Sequence, residues 1–397
     1  MKKIRIGMVG VTGRGHQLRW FHNPEIGSYV TAAMDSSPKA LQRFRVRMPE
    51  GVRTTLDYDE LLAGDDIDAV AITSPDFTHE EYVLKAFAAG KHVFCDKPMA
   101  ITTKGCDRMM QAWKASGKHF MIGFNMRYIS IFRVMKDLID SGTIGELKAV
   151  WVRHFVGFGG DWYFHDWHGS RKNSTGLLLQ KASHDIDMIH WITGAYTKRV
   201  SGMGSRVYYG GDKPDDLRCP ECPEKDTCVE YYKADEGHGD ERVNTMDCCV
   251  FRNEIDVEDQ SVIMMELEGG IQATYMQNHF TPDYFRNYTF IGTEGRIENM
   301  DDYTKVVVKL RDRSNRWKNL ADQIVEVKPL SGTHGGADPV ICRDFIEMLQ
   351  SDKKPVATPL AGRMAVAVAC EATASIRDNS GLRDIPSIPQ DLESFVY

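Results

Sequence analysis

Two short stretches of the sequence gather side chains able to move a proton. Residues 176–187 read GLLLQKASHDID, where a leucine run gives way to Lys181, His184, Asp185 and Asp187. On a helix Lys181, His184 and Asp185 stand at i, i+3 and i+4 and share one face. An exposed Lys181–Asp185 ion pair, with His184 on a backbone carbonyl, would account for the same residues without any chemistry. The second stretch, HVFCDKPMA (92–100), is an apolar strand ending in Asp96, Lys97 and Pro98. In parallel sheets the ligand crevice lies beyond the carboxyl ends of the strands, which aims Lys97 at that crevice. The plain alternative is a surface lysine in a turn. The Lys97–Pro98 bond is a candidate for the cis form.

The elements around these stretches read as an α/β fold. Apolar runs at 3–11, 28–35, 69–73, 92–96 and 119–124 alternate with helical patterns at 16–21, 38–48, 58–64, 79–90 and 104–117. Such alternation describes a doubly wound parallel sheet covered on both faces. The first strand enters Gly10-Val11-Thr12-Gly13-Arg14-Gly15, where a dinucleotide fold needs glycines so that backbone amides can approach a pyrophosphate. Thr12 stands where the middle glycine of the usual pattern would be. The second strand ends at Asp35, placed to bind adenosine ribose hydroxyls, and an acid there favours NAD over NADP. Thr73, Ser74 and Pro75 end the strand expected to meet the cofactor.

Length and composition limit the alternatives. A chain of 397 residues with 42% hydrophobic and 26% charged residues reads as a globular protein of two domains. The net charge of -7 argues against a nucleic-acid partner. No apolar run is long enough for a membrane span, and glycines interrupt the N-terminal apolar stretch, so the expectation is a cytoplasmic protein with no membrane partner. Cys95, Cys106, Cys342 and Cys370 are isolated, as reduced thiols would be. RCPECPEKDTCVEYY (218–232), inside an excursion over about 212–250, leaves two readings: a structural zinc on Cys219, Cys222, Cys228 and Cys248 or Cys249, or free thiols or a disulfide. From about residue 250, period-2 runs at 261–280, 288–298 and 304–312 imply an antiparallel meander with one face covered.

The glycine turn, Asp35, SPDFTH (74–79), GKHVFCDKP (90–98), GFNMRY (123–128), HDID (184–187) and GTEG (292–295) together resemble the glucose–fructose oxidoreductase / inositol dehydrogenase / MocA family, in order and over nearly the whole chain. The resemblance implies an NAD-binding Rossmann domain over 1–125. It implies a second α/β domain over 126–397, built on a large, mostly antiparallel sheet that often forms the subunit interface, with helices over 335–380 packing back towards the first domain. A homodimer or homotetramer is expected. The implied activity is hydride transfer between NAD(P) and a hydroxyl carbon of a sugar, cyclitol or sugar derivative.

The resemblance also implies residue roles. Lys97 would sit beside the nicotinamide and the reacting hydroxyl, with His184 as proton acceptor or its orienting partner. Gly10, Thr12, Gly13, Arg14, Gly15, Asp35, Thr73, Ser74, Pro75, His79, Asp96, Lys97, Asn125 and Arg127 would bind the cofactor. Many family dehydrogenases carry an aspartate four residues before the histidine, where this chain has Gln180, which cannot take a proton. Lys181 is then a candidate for the missing role, or pairs with Asp185. In GGDWYFHDWHGSRK (159–172) the aromatic rings could stack on a pyranose, which makes Trp162, His165, Trp167, His168 and Arg171 substrate candidates, with Gln180, Lys181 and His334 near Asp338. Two other functions remain open: a glycoside hydrolase that holds NAD and oxidises its sugar transiently, and a non-catalytic NAD or sugar sensor.

Overall fold

The computed structural model describes residues 2–232, 247–300, 303–317 and 321–396. Six strands form the first sheet: β1 (Ile4–Val9), β2 (Ser28–Met34), β3 (Arg53–Thr55), β4 (Ala69–Ile72), β5 (His92–Cys95) and β6 (Phe120–Ile122). All pair in parallel, in the order β3-β2-β1-β4-β5-β6. That is the doubly wound dinucleotide-binding order, in which the strand order reverses between β1 and β4 and opens a crevice there. The strands are apolar because both faces are covered; β4 is buried at every residue.

Helices start where the local chemistry asks. Ser37 accepts from the Ala40 amide with Pro38 at the first helical position, opening the helix Pro38–Arg47. Asp57 caps Tyr58–Ala63 in the same way. The helix expected over 16–21 is instead a single turn, Arg14–Gln17, followed by a 3₁₀ turn, Arg19–Phe21. The break at Leu18 lets Phe21 drop edge-on between Phe94 and Phe345, with ring centroids 5.1 and 5.7 Å away. Strand β3 has no counterpart in the sequence reading, because an edge strand of Arg-Thr-Thr carries no apolar run.

The second sheet has nine strands: β7 (Leu147–Gly157), β8 (Thr197–Ser205), β9 (Gln260–Leu267), β10 (Gln272–Thr281), β11 (Phe285–Gly292), β12 (Gly295–Asn299), β13 (Lys305–Leu310), β14 (Gln323–Glu326) and β15 (Arg383–Asp384). Their order is β14-β13-β12-β11-β7-β10-β9-β8-β15. Every pairing is antiparallel except β7 with β10, which run parallel at the centre. Alternation predicts one covered face and cannot reveal that long-range parallel pair. The covered face packs on the helices Ala182–Thr193 and Pro359–Asp378. The helix Ala337–Ser351 instead joins the first sheet, where Ile341, Cys342, Phe345 and Leu349 share a core with Ile4, Ile6 and Met8. The last third of the chain therefore completes the core of the first.

Candidate active site

Strand β5 ends in the turn Asp96-Lys97-Pro98, whose Lys97–Pro98 bond is cis. His79 pins this turn to the end of β4, with its Nδ1 2.8 Å from the Pro98 carbonyl and its Nε2 2.9 Å from that of Ser74. Lys97 Nζ donates to the main-chain carbonyl of Gln180 at 2.9 Å. That bond reaches the 176–187 segment, which is a helix turn, Leu177–Gln180, broken at Lys181 and resumed as Ala182–Thr193. The positive side chains of Lys97 and Lys181 act on each other and on His184. Burial lowers the Lys97 ammonium below the ordinary lysine value, while Asp76 and Asp96 beside it pull the other way. Burial, then the cations of Lys97, Arg286 and Lys181, hold the His184 imidazole well below its usual value. Its Nδ1 is buried with no protein partner. A neutral imidazole with an unengaged nitrogen can accept a proton.

Asp185 turns away from Lys181 and into the second sheet. Its carboxylate lies 3.1 Å from His154 Nδ1 and 3.3 Å from Arg286 Nε, and it accepts the Tyr288 hydroxyl. Against the upward push of burial, Arg286 and His154 hold it below the usual carboxylate range. The Lys181–Asp185 pair is therefore not formed; the helix break separates the two side chains. Lys181 Nζ instead lies over the rings of Tyr163 and Tyr284, 5.6 and 5.7 Å from their centroids. Burial, Arg286 and Lys97 push its pKa well down.

The glycine turn is built for close approach. Gly10 has φ +81°, and a Cβ there would lie 2.9 Å from the Ser74 nitrogen. A Cβ on Gly15 would meet the Gly10 carbonyl oxygen at 2.0 Å, whereas Gly13 has no atom within 4 Å and faces open space. Thr73 Oγ1 donates to the Gly10 carbonyl at 2.6 Å, and Asp35 accepts from the amides of Val11 and Ser37, both at 2.9 Å. Thr12 and Pro75 flank the same edge. Near it Asp76, Asp96 and Asn125 each carry a buried oxygen without a protein partner. An open glycine edge, a terminal acid and buried acceptors left for a ligand fit a dinucleotide.

Several expected site residues are engaged elsewhere. Arg127 is buried in a two-point ion pair with Asp187, at 2.8 and 2.6 Å, and donates to the Val356 carbonyl, so these three donors brace the second domain. Arg14 pairs with Asp96 at 3.0 Å and with Asp338 at 2.9 Å, clamping the glycine turn to the helix Ala337–Ser351. His334 holds the same Asp338 at 2.7 Å, and Asn125 Nδ2 donates to it at 3.0 Å. His165 is fully buried with both ring nitrogens on carbonyls, of Cys248 and Glu230, and acts as a strut for the cysteine-rich excursion. Arg171 is drawn off to Glu258 at 3.2 Å. Trp162 lies at the surface, 40% exposed. Trp167 stacks on His168 and meets Phe77 edge-on, laying the aromatic loop against the SPDFTH turn. Gln180 meets Lys97 through its backbone, while its side-chain oxygen is buried and unpartnered.

The zinc expectation is corrected. Among the described residues no group of three or more His, Cys, Asp or Glu side chains could hold a metal, and Cys219, Cys222, Cys228 and Cys249 form no disulfide. The sulfurs face different neighbours: Cys219 Sγ lies 3.8 Å from His165 Nδ1, and Cys249 Sγ accepts from the Phe251 amide. Backbone bonds such as Cys219 N to Asp247 O and Cys249 N to Leu217 O hold the excursion instead. Residues 233–246 of that excursion lie outside the described residues.

The sequence reading missed four residues at the site. Asp76, within SPDFTH, is buried beside Lys97, and burial lifts its carboxyl to about 6 against His79, His168 and Lys97. Tyr163, Tyr284 and Arg286 meet Lys181 and Asp185 from a loop and from the start of β11. Nothing local marks Tyr284 or Arg286, which reach the site only through strand pairing.

Residues 4–124 match the profile described as oxidoreductase family, NAD-binding Rossmann fold, and residues 136–383 that described as oxidoreductase family, C-terminal alpha/beta domain. The chain is 27% identical to the Bacillus subtilis protein named "Putative oxidoreductase YteT" over 80% of this chain and 81% of that one. It is 32% identical to the inositol 2-dehydrogenase of Ralstonia nicotianae over 48% of this chain and 55% of that enzyme. Its fold is shared with a levoglucosan dehydrogenase solved with NADH and levoglucosan (TM-score 0.76, 18% identity, 97% of this chain and 100% of that one). With both domains matched, the chain belongs to the glucose–fructose oxidoreductase / inositol dehydrogenase / MocA family of oxidoreductases.

Proposed function

We propose that the protein oxidises a hydroxyl carbon of a sugar, cyclitol or sugar derivative in an NAD-dependent reaction. The observation that carries this reading is the pairing of two groups across the domain junction. Lys97, held at the carboxyl edge of the first sheet, bonds the segment that bears His184, whose Nδ1 has no protein partner. When bound, NAD supplies the acceptor for the hydride that leaves the alcohol carbon.

The chain's own residues handle the hydroxyl proton and the position of the substrate. Lys97 carries up to three N–H donors and gives one to Gln180, leaving the others for the reacting hydroxyl. His184, kept neutral by burial and by the cations around it, takes the hydroxyl proton as the carbonyl forms. Trp167, stacked on His168, is suited to lie against the apolar face of a ring. The outer face of the second sheet exposes Trp151, Met203, Met264 and Ile324, an apolar strip that supports a homodimer formed through it.

The reading is tested by mixing the protein with NAD and a panel of sugars and cyclitols and following NADH absorbance. NADH accumulating with one of them is the expected result. Release of a leaving group from aryl glycosides without NADH accumulation would replace this reading with redox-neutral glycoside cleavage.

A further inference from the structure

The Lys181 amine has no ion-pair partner among the described residues, and Asp185 acts on it only from beyond ion-pair distance. No carboxylate lies within ion-pair distance of its Nζ among the described residues, and its own helix neighbour Asp185 is engaged by Arg286, His154 and Tyr288. The other positive groups nearby are balanced: Arg286 has Asp185, Arg14 has Asp96 and Asp338, and Lys97 has Asp76 and Asp96 in range. Behind Lys181, His154 and His279 are fully buried, and burial depresses both imidazoles, so they bring no charge. The faces of Tyr163 and Tyr284 offer a cation–π contact, which only partly replaces the lost hydration of an ammonium. Tyr163 is buried and its phenol is raised above the ordinary tyrosine value, so it stays protonated as a donor, whereas Tyr284 is 51% exposed at the mouth of the group. Among the described residues the Lys181 amine, set over the faces of two tyrosines, therefore has no carboxylate to receive it.

We infer that the substrate carries a carboxylate, which Lys181 receives between Tyr163 and Tyr284, so that the enzyme acts on a sugar acid. The inference rests on the proposed oxidation at Lys97 and His184, and adds what the residues around Lys181 recognise. A single unpaired ammonium matches a monoanion; a phosphate dianion would need a second cation, and Arg286 is already paired. Lys181 lies near enough to His184 to act on its imidazole electrostatically, so a carboxylate held there brings a ring hydroxyl towards that imidazole. Binding the anion also returns the proton that burial and Arg286 make Lys181 ready to lose.

The test uses the full chain with saturating NAD and three probe pairs: glucuronate against glucose, galacturonate against galactose, and gluconate against sorbitol, with glucose 6-phosphate as a further probe. Affinity is read by calorimetry and turnover by NADH absorbance. The expected result is at least tenfold tighter binding of one or more acids than of the neutral counterpart, lost in Lys181→Met and restored at least in part in Lys181→Arg. NAD affinity of each variant, read separately, reports an intact fold. No acid preference in any pair, or a preference that survives in Lys181→Met, overturns the inference, and tighter binding of the phosphate than of any acid overturns the carboxylate. Acid preference without NADH formation upholds the anion site and counts against the oxidation, whereas turnover of neutral sugars with no acid preference keeps the oxidation and removes the anion site.

Discussion

Lys97 Nζ and the main-chain oxygen of Gln180 are joined by a hydrogen bond of 2.9 Å across 83 residues of sequence. The bond ties the turn after β5 to the segment that carries Lys181 and His184, so the two halves of the site are positioned against each other and not merely adjacent. Lys97→Met keeps the stem and removes the donors. kcat is expected to fall by about 10²–10⁴-fold, the usual worth of a positioned acid–base group, with an unchanged circular dichroism spectrum. Steady-state kinetics on the first substrate found checks it; a loss confined to KM would mean that Lys97 only binds.

Arg127 and Asp187 form a buried ion pair and are expected to matter for stability. Burial raises the Asp187 carboxyl while Arg127 holds it down, so removing the guanidinium leaves an uncompensated acid. Arg127→Met should cost about 3–5 kcal/mol in urea unfolding, as broken buried pairs do. NAD affinity at a temperature where the variant is folded should match that of the parent. A variant of full stability and weak NAD binding would return Arg127 to the cofactor.

Buried imidazoles set the acid side of the stability profile. His190 and His279 are each pushed down to about 3 by burial, and His154 is depressed as well. Their folded values lie below the unfolded value near 6.5, so the unfolded chain binds the extra protons as pH falls. Stability is therefore held above about pH 6.5 and drops below it, by roughly 1.4 kcal/mol per pH unit for each such group. Urea midpoints at pH 7.5, 6 and 5 should fall steeply across the last two; a flat profile would mean that these rings are solvated.

The exposed apolar strip on the second sheet gives a measurable association. Met203 and Met264 are 80% and 62% exposed on neighbouring strands β8 and β9. The double variant Met203→Glu, Met264→Glu should shift the sedimentation coefficient from dimer to monomer. A parent that sediments as a monomer at micromolar concentration would refute the dimer.

The first sheet was legible because its strands are buried on both faces and read as apolar runs between amphipathic helices. Lys97 was legible because it follows such a strand. The course of 176–187 was not, since the break at Lys181 that parts it from Asp185 depends on packing against β7 and β11, far away in sequence. Arg127 and His165 misled for a related reason: charge and ring chemistry mark them as functional, but their partners Asp187, Val356, Cys248 and Glu230 come from distant segments. The cysteines suggested a metal by count and spacing, but among the described residues they form no group that could hold one.

The central claim is that Lys97 and His184 act on one hydroxyl. A crystal structure with NAD and a turned-over substrate measures it directly. Lys97 Nζ and His184 Nδ1 should both lie within hydrogen-bond reach, about 3 Å, of the same substrate oxygen. Finding the two atoms on different oxygens, or one of them outside the substrate cavity, would contradict it.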